Sequence, residues 1–304
     1  MAAGQGPLLL RALGLAILLF LGFVALAPQQ FLDPLLRHDD YPVLLQRADE
    51  YYIKTLTEGR WVNWAWLNRP WAGTAAQHYA IYIAAWCVFC ACAAITTLGR
   101  NAPLIVQAGF AALLALSIPA LLISLWFSTL VPGMVILALY ALWVLMTGPR
   151  AALWAMPVFV PLSLMTHSTQ PLLIASVALL AADRRHGFLD LFRTLFVFCS
   201  SYILGLLVIF TLNWLEHGVF GIEVAEWRSP NPGTSIEALT ENARFMVEWM
   251  RYNLTVITFG IPTIGWVFAG TFILLSVIVR DRAGQAFYIL ASLVLGFAVV
   301  AAQG

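Results

Sequence analysis

The sequence predicts an all-α polytopic membrane protein with about nine transmembrane or re-entrant helices and interfacial helices in two outer loops. Composition comes first. Of 304 residues, 62% are hydrophobic and 10% are charged, whereas a soluble chain carries about 25% charged residues. Mean hydropathy is correspondingly high, at +0.86. The second observation is that apolar runs long enough to cross a bilayer, roughly 17–25 residues each, recur to the C-terminus. The third is that arginine marks the short connections between those runs. A net charge of +1 gives no reason to expect nucleic acid or another polyanion as partner.

The runs fall at about 12–28, 79–98, 103–126, 129–147, 151–166, 170–182, 194–213, 253–279 and 286–302, all within a single membrane domain, 1–304. The first resembles a signal peptide, with Arg11, a short apolar core and "ALA" at 25–27. Pro28 directly after that site argues against cleavage, so an uncleaved span is expected. The fifth and sixth runs are short and separated by "THSTQP", 166–171. They form either two short spans or one re-entrant hairpin. Both arrangements put residues 150 and 184 on the same side.

Arginine then sets the orientation. With the N-terminus cytoplasmic, the inner connections hold Arg100, Arg150, Arg184 with Arg185 and Arg193, and Arg280 with Arg282. The mixed-charge segments 29–78 and 214–252 are thereby assigned to the outer face. Cys87, Cys90 and Cys92 ("CVFCAC") and Cys199 lie inside apolar runs and read as small packing residues. No internal repeat, coiled-coil heptad or low-complexity tract occurs. No Walker motif, GxGxxG fingerprint or zinc-protease helix is present, so nothing points to nucleotide-driven chemistry.

The first outer segment concentrates what polarity the chain has: "RHDDYPVLLQRADEYYIKTLTEGRWVNWAWLNRPW", 37–71. Pro42 suits the first turn of a helix and Gly59 its end. Between them Leu45, Ala48, Tyr52 and Leu56 recur at helical spacing, opposite Gln46, Asp49, Glu50 and Lys54. A helix lying along the membrane surface is expected. Asp39 and Asp40 precede it. One could cap the helix and favour its dipole, but capping explains one carboxylate, and two adjacent ones repel near a low-dielectric boundary. A chain so sparing of charge more often avoids that cost, so the pair reads as chemical. Trp61, Trp64, Trp66 and Trp71 read most simply as an interfacial belt, although Trp61 and Trp64 could also stack on a sugar. Arg60 and Arg69 flank them and suit bidentate contact with phosphate.

An Asp-Asp pair opening the first outer loop, followed by an interfacial helix and a "GR" with aromatics, resembles the GT-C class of membrane glycosyltransferases. Within that class, "DDY" (39–41) and "EGRW" (58–61) are most similar to the Gtr-type glucosyltransferases that modify O-antigen. The motifs cover about residues 37–71, and the alternation of spans carries the resemblance over the rest. It implies a hexose, glucose in that family, moved from a polyprenyl-phosphate donor to a glycan or lipid-linked acceptor, with inversion. It implies Asp39 or Asp40 as catalytic base; Arg60 and Arg69 are the candidates for the donor phosphate by residue type and position, and a monophosphate leaving group requires no metal or other cofactor, although two carboxylates could bind a divalent metal. The resemblance also implies a bacterial inner membrane with the site on the periplasmic face. In length the chain departs from the class, which leaves acceptor recognition unassigned.

Further candidates are His167 and Gln170, in the outward break "MTHSTQP", as substrate-binding residues. His78 reads as interfacial. In the second outer segment Glu216, His217, Glu223, Glu226 and Arg228 precede the turn cluster "SPNPG", 229–233. Residues 235–251 read as an amphipathic helix started by Ser235. Two rival functions are a transporter or flippase of lipid-linked sugars and a non-catalytic assembly partner in envelope glycan synthesis. A transporter predicts ionisable groups in mid-span and broken helices in matching halves, whereas the charges here cluster at the outer surface.

Overall fold

The computed structural model describes residues 5–71, 73–181, 188–223, 234–257 and 263, and all regular structure among them is helical. Two compact units result, Met1–Arg185 with Phe192–Glu223 and His186–Leu191 with Val224–Gly304. In the first, α1 (Gln5–Leu26) buries Leu8, Ala12, Leu15, Ala16 and Phe23, a spacing of three, four and seven that makes one helical stripe. Leu10, Ile17, Leu18 and Leu21 on the same helix are exposed. An outward face of this kind fits hydrocarbon surroundings rather than water.

The first loop folds as α2 (Pro28–Leu32), α3 (Asp40–Leu44), α4 (Ala48–Glu58) and α5 (Trp61–Leu67). A capping box of Thr74 and Gln77 starts α6 (Ala75–Leu98). Then follow α7 (Leu104–Ala115), α8 (Ile118–Ile123), a 3-10 turn (Ser124–Trp126), α9 (Phe127–Thr147), α10 (Pro149–Leu164), α11 (Gln170–Leu179) and α12 (Phe188–His217). Helices α6 and α9 form the centre of the bundle, with Cys90, Ala91, Ile95, Val131, Leu137, Tyr140 and Ala141 fully buried.

Four helical stretches are long and apolar enough to cross a membrane: Gly6–Leu26, Ala75–Leu98, Ala120–Thr147 and Leu189–His217. The expected count of nine differs for identifiable reasons. The run 103–126 is no single helix. Pro119 has no amide to donate to a continuing helix, and α7 stops at Ala115 while α8 restarts after Ser117. The Trp86 indole donates to the Ala115 carbonyl left open there, at 3.2 Å. Helices α10 and α11 are 16 and 10 residues long and form a hairpin with its tip at 165–169. Beyond α13 (Ile236–Ile257) and residue 263, the runs 253–279 and 286–302 lie outside the described residues, with Arg280 and Arg282.

The bundle has two chemically different ends. At one, Arg11 donates to the carbonyls of Arg100 and Ala102, each at 2.9 Å. Gly148, Pro149 and Ala181 border a small cavity there with Arg100. The α10–α11 hairpin therefore begins and ends at this arginine end, as either expected arrangement requires. Arg184 and Arg185 lie outside the described residues. The loop end, opposite, carries α3–α5 and the tip of the hairpin.

The surface helix expected over 42–58 is two helices. Gln46 adopts φ 51 between α3 and α4, a conformation that neither glycine nor asparagine announces at that position. The break moves Leu45 out to 63% exposure and turns Tyr51 fully inward, beside Leu56. The expected end at Gly59 is present, with φ 68. In the second unit, α13 is capped as expected, Ser235 Oγ accepting from the Ala238 amide at 3.1 Å. Glu226, Arg228 and 229–233 lie outside the described residues.

Candidate active site at the loop end

The two adjacent aspartates have different fates. Asp40 is fully buried. Its Oδ1 accepts from the amides of Ser128 (3.1 Å) and Thr129 (3.2 Å) and from Thr129 Oγ (3.1 Å), while Oδ2 accepts from the Arg37 amide (3.3 Å). Ser128 and Thr129 belong to the first turn of α9, so Asp40 caps a distant helix, not its own. An anion on those open amides satisfies the helix terminus and opposes its dipole. Burial raises the Asp40 carboxyl above its ordinary value, and these four donors hold it partly back.

Asp39 takes the N-cap position of α3 without making a cap hydrogen bond. Its side chain stays 26% exposed, and Lys54 Nζ lies 2.5 Å from Oδ1. His38 Nε2 approaches the same oxygen at 3.6 Å. Burial pushes the Asp39 carboxyl up, but Lys54, with His38 and Arg60 behind it, outweighs burial and holds it below the ordinary value. Among the described residues no hydrogen bond is made to Oδ2. The result is an ionised carboxylate with one oxygen held and the other open.

Arg60 lies within electrostatic reach of Asp39. Its side chain is 14% exposed and its Nη2 lies 2.5 Å from Glu58 Oε2. The Tyr51 hydroxyl also faces the guanidinium, which stays charged although burial opposes it. Asn63 Nδ2 donates to Tyr51 OH (3.2 Å) and to the Thr166 carbonyl (3.0 Å). With the Val62 amide donating to the Met165 carbonyl at 3.2 Å, α5 is seated on the tip of the α10–α11 hairpin. The "EGR" motif is thus already an internal ion pair.

Arg69 has no carboxylate partner among the described residues. Its guanidinium lies between Trp66 and Trp71, 4.5 and 4.8 Å from the ring centroids, where the ring quadrupoles favour a cation. Nη1 donates to the Trp66 carbonyl at 2.8 Å and Nη2 to His78 Nε2 at 2.7 Å. A guanidinium only donates, so His78 is the Nδ1–H tautomer and donates to Ser128 Oγ at 2.6 Å. His78 is fully buried, not interfacial as its position at a span end implied. Gly73 permits this, since a Cβ there would lie 2.6 Å from His78 Nε2.

Gln170 is buried with its side-chain amide against Thr166 Oγ1, whose single proton also has the Ser163 carbonyl within reach at 2.6 Å. It lies against Gly133, where a Cβ would approach its Oε1 to 1.9 Å. Gly133 stands six residues into α9, roughly 9 Å along its axis at 1.5 Å per residue, so the hairpin tip is set into the bundle. His167 stays in the exposed turn with Thr169 Oγ1 at 2.9 Å from its Nδ1. The structure joins Gln170 to Thr166 and, through the Thr166 carbonyl, to Asn63, and the His167 carbonyl accepts from the Gln170 amide at 3.1 Å.

Trp61 is buried, its indole donating to Asn213 Oδ1 at 2.8 Å, and Asn213 in turn donates to the carbonyls of Leu56 and Gly221. This anchors the loop to the top of α12. Trp64 is half-buried and meets Tyr52 at 5.7 Å. His217 lies 4.5 Å from the Tyr52 ring. Thr55 Oγ donates to the Tyr52 carbonyl (2.6 Å), so its 2.7 Å contact with His217 Nε2 is a donation from the histidine. Glu58, Tyr51 and Asn63 were missed as site members, although "EGR" places an acid two residues before Arg60.

Four buried polar atoms at this end have no hydrogen-bond partner among the described residues: Asn63 Oδ1, Trp66 Nε1, Arg69 Nε and Gln170 Nε2. Three are donors and one an acceptor, a set suited to an oxygen-rich ligand. No three His, Cys, Asp or Glu side chains converge among the described residues. Comparison with protein-family models, curated proteins and solved structures finds no match.

Proposed function

We propose that the chain is a glycosyltransferase that moves a hexose from a polyprenyl-phosphate donor to a glycan or lipid-linked acceptor at the loop end of the bundle. The observation that carries this reading is the division of labour in the aspartate pair. Asp40 is consumed as the cap of α9, while Asp39 keeps an ionised, half-open carboxylate whose Oδ1 is fixed by Lys54. That is the form a general base needs. The acceptor hydroxyl would pass its proton to Asp39 Oδ2 as its oxygen bonds to C1 of the sugar. The bond from C1 to the phosphate oxygen breaks on the opposite face, and polyprenyl phosphate leaves with that electron pair. The configuration inverts, and a single base suffices. Asp39 then returns its proton to water.

A cation must meet the charge that gathers on the phosphate. Arg60 is neutralised by Glu58, whereas Arg69 has no acid beside it and a spare Nε–H. These contacts favour Arg69 for that role, with Arg60 holding the loop together. Asn63 and Gln170 suit sugar hydroxyls. Positive-inside orientation supports the arginine end in the cytoplasm and this chemistry on the outer face, and the resemblance to O-antigen glucosyltransferases supports a bacterial inner membrane.

A carrier of lipid-linked sugars has one observation in its favour, the short α10–α11 hairpin set into the bundle beside Gly133. Purified protein in vesicles, given a polyprenyl-phosphate hexose and a glycan acceptor, separates the two. A transferase makes new glycoside and frees polyprenyl phosphate. Movement of intact donor between leaflets without glycoside would support the carrier instead.

A further inference from the structure

Helices α10 and α12 meet closely at one point. A Cβ on Gly205 would lie 3.0 Å from Leu164 Cδ2 and 3.1 Å from Pro161 Cα, so glycine is what allows the approach. From there toward the arginine end, a groove of about 250 Å³ lies between the two helices. Leu153, Trp154 and Pro157 form one wall, Phe196, Val197 and Ser200 the other, and Arg193 lines it as well. The groove opens sideways, with Trp154 77% and Phe196 63% exposed. On helices within a bilayer such an opening meets lipid chains, not water.

Charge selects the lipid. Arg193 stands one helical turn before Phe196 and Val197 on α12, at the arginine end. Arg150 stands one turn before Leu153 and Trp154 on α10, and so on the same helix face. Neither has an ion-pair partner among the described residues. Guanidinium forks match phosphate oxygens in pairs. We propose that this groove holds an acyl chain of an anionic glycerophospholipid whose headgroup phosphate is bound by Arg150 and Arg193. The site is separate from the loop-end site, at the opposite end of the bundle, and its existence does not depend on the glycosyltransferase reading.

Trp154 reports on it directly. The full chain is reconstituted in phosphatidylcholine vesicles doped with chain-brominated phosphatidylglycerol or chain-brominated phosphatidylcholine. Quenching specific to Trp154 is the difference between wild type and Trp154→Phe. The brominated anionic lipid is expected to quench at about 25-fold lower mole fraction than the zwitterionic one, two basic residues contributing about fivefold each. Arg150→Gln and Arg193→Gln should each reduce that preference by about fivefold, the scale for one basic residue at an anionic surface. Ser200→Phe, or Val197→Phe if the first fails to fold by circular dichroism, should exclude the chain with both arginines intact. Equal quenching by the two lipids, or a preference that survives in the double glutamine variant, would overturn the proposal. Displacement of the brominated phosphatidylglycerol by polyprenyl phosphate at equal mole fraction would overturn its choice of lipid.

Discussion

Asp40 Oδ1 accepts hydrogen bonds from two successive amides at the start of α9, those of Ser128 and Thr129. A residue of the first loop thereby closes the N-terminus of a central helix and holds the loop in position on the bundle. Hydrogen bonds to a charged group contribute about 1.5–3 kcal/mol each, and a buried one left unmade is costly. Asp40→Asn keeps one acceptor oxygen but presents an NH₂ to the Arg37 amide. Thermal unfolding should show a loss of about 1–3 kcal/mol, and Asp40→Ala should lose more. Unchanged melting in both variants would remove Asp40 from this role.

The pH behaviour of Asp39 follows from Lys54. A carboxyl held below its ordinary value of 3.8 contributes stability that is present above that pH and is lost as pH falls below it. As a base it must also be ionised, so the acid limb of kcat/KM in wild type should lie below pH 3.8. Lys54→Gln leaves burial unopposed by its largest partner and should move that limb to higher pH. A limb that stays in place would show that a different group titrates.

The gathering of Arg11, Arg100 and Arg150 at one end of the bundle was legible because short connections between apolar helices must alternate between two ends. Caps at Gly59 and Ser235 were equally open to reading, since each depends only on neighbours in sequence. The fates of Asp39 and Asp40 were not. Which of two adjacent acids meets α9 depends on how α3 is turned by the break at Gln46, where no glycine or proline gives warning. His78 was read as interfacial for the same reason. Its partners, Ser128 and Arg69, come from other elements.

Gly133 and Gln170 offer a test of the hairpin's seat. Gly133→Ala puts a methyl 1.9 Å from the present position of Gln170 Oε1, and overpacking of this sort costs about 1–3 kcal/mol. Gln170→Ser should recover much of that loss in the double variant. A double-mutant cycle with additive effects would mean that the two side chains do not meet.

The two loop arginines should separate in assay. Lysine cannot reproduce the planar fork of either. Arg60→Lys disturbs the Glu58 and Tyr51 contacts and should lower melting temperature with activity falling in parallel. Arg69→Lys should instead raise KM for the phosphate-linked donor while melting changes little. The reverse pattern would return Arg60 to the phosphate.

The central claim is that Asp39 takes the acceptor's proton. Asparagine is nearly isosteric with aspartate, and no cap hydrogen bond is lost because Asp39 makes none. The decisive measurement is the initial rate of sugar transfer from a polyprenyl-phosphate hexose by purified Asp39→Asn protein, with melting temperature recorded on the same sample. The expected rate is roughly 10²–10⁴-fold below wild type, the scale of general base catalysis, in a protein that still folds and loses only the modest stability of the Lys54 ion pair. Full transfer activity in Asp39→Asn would contradict it.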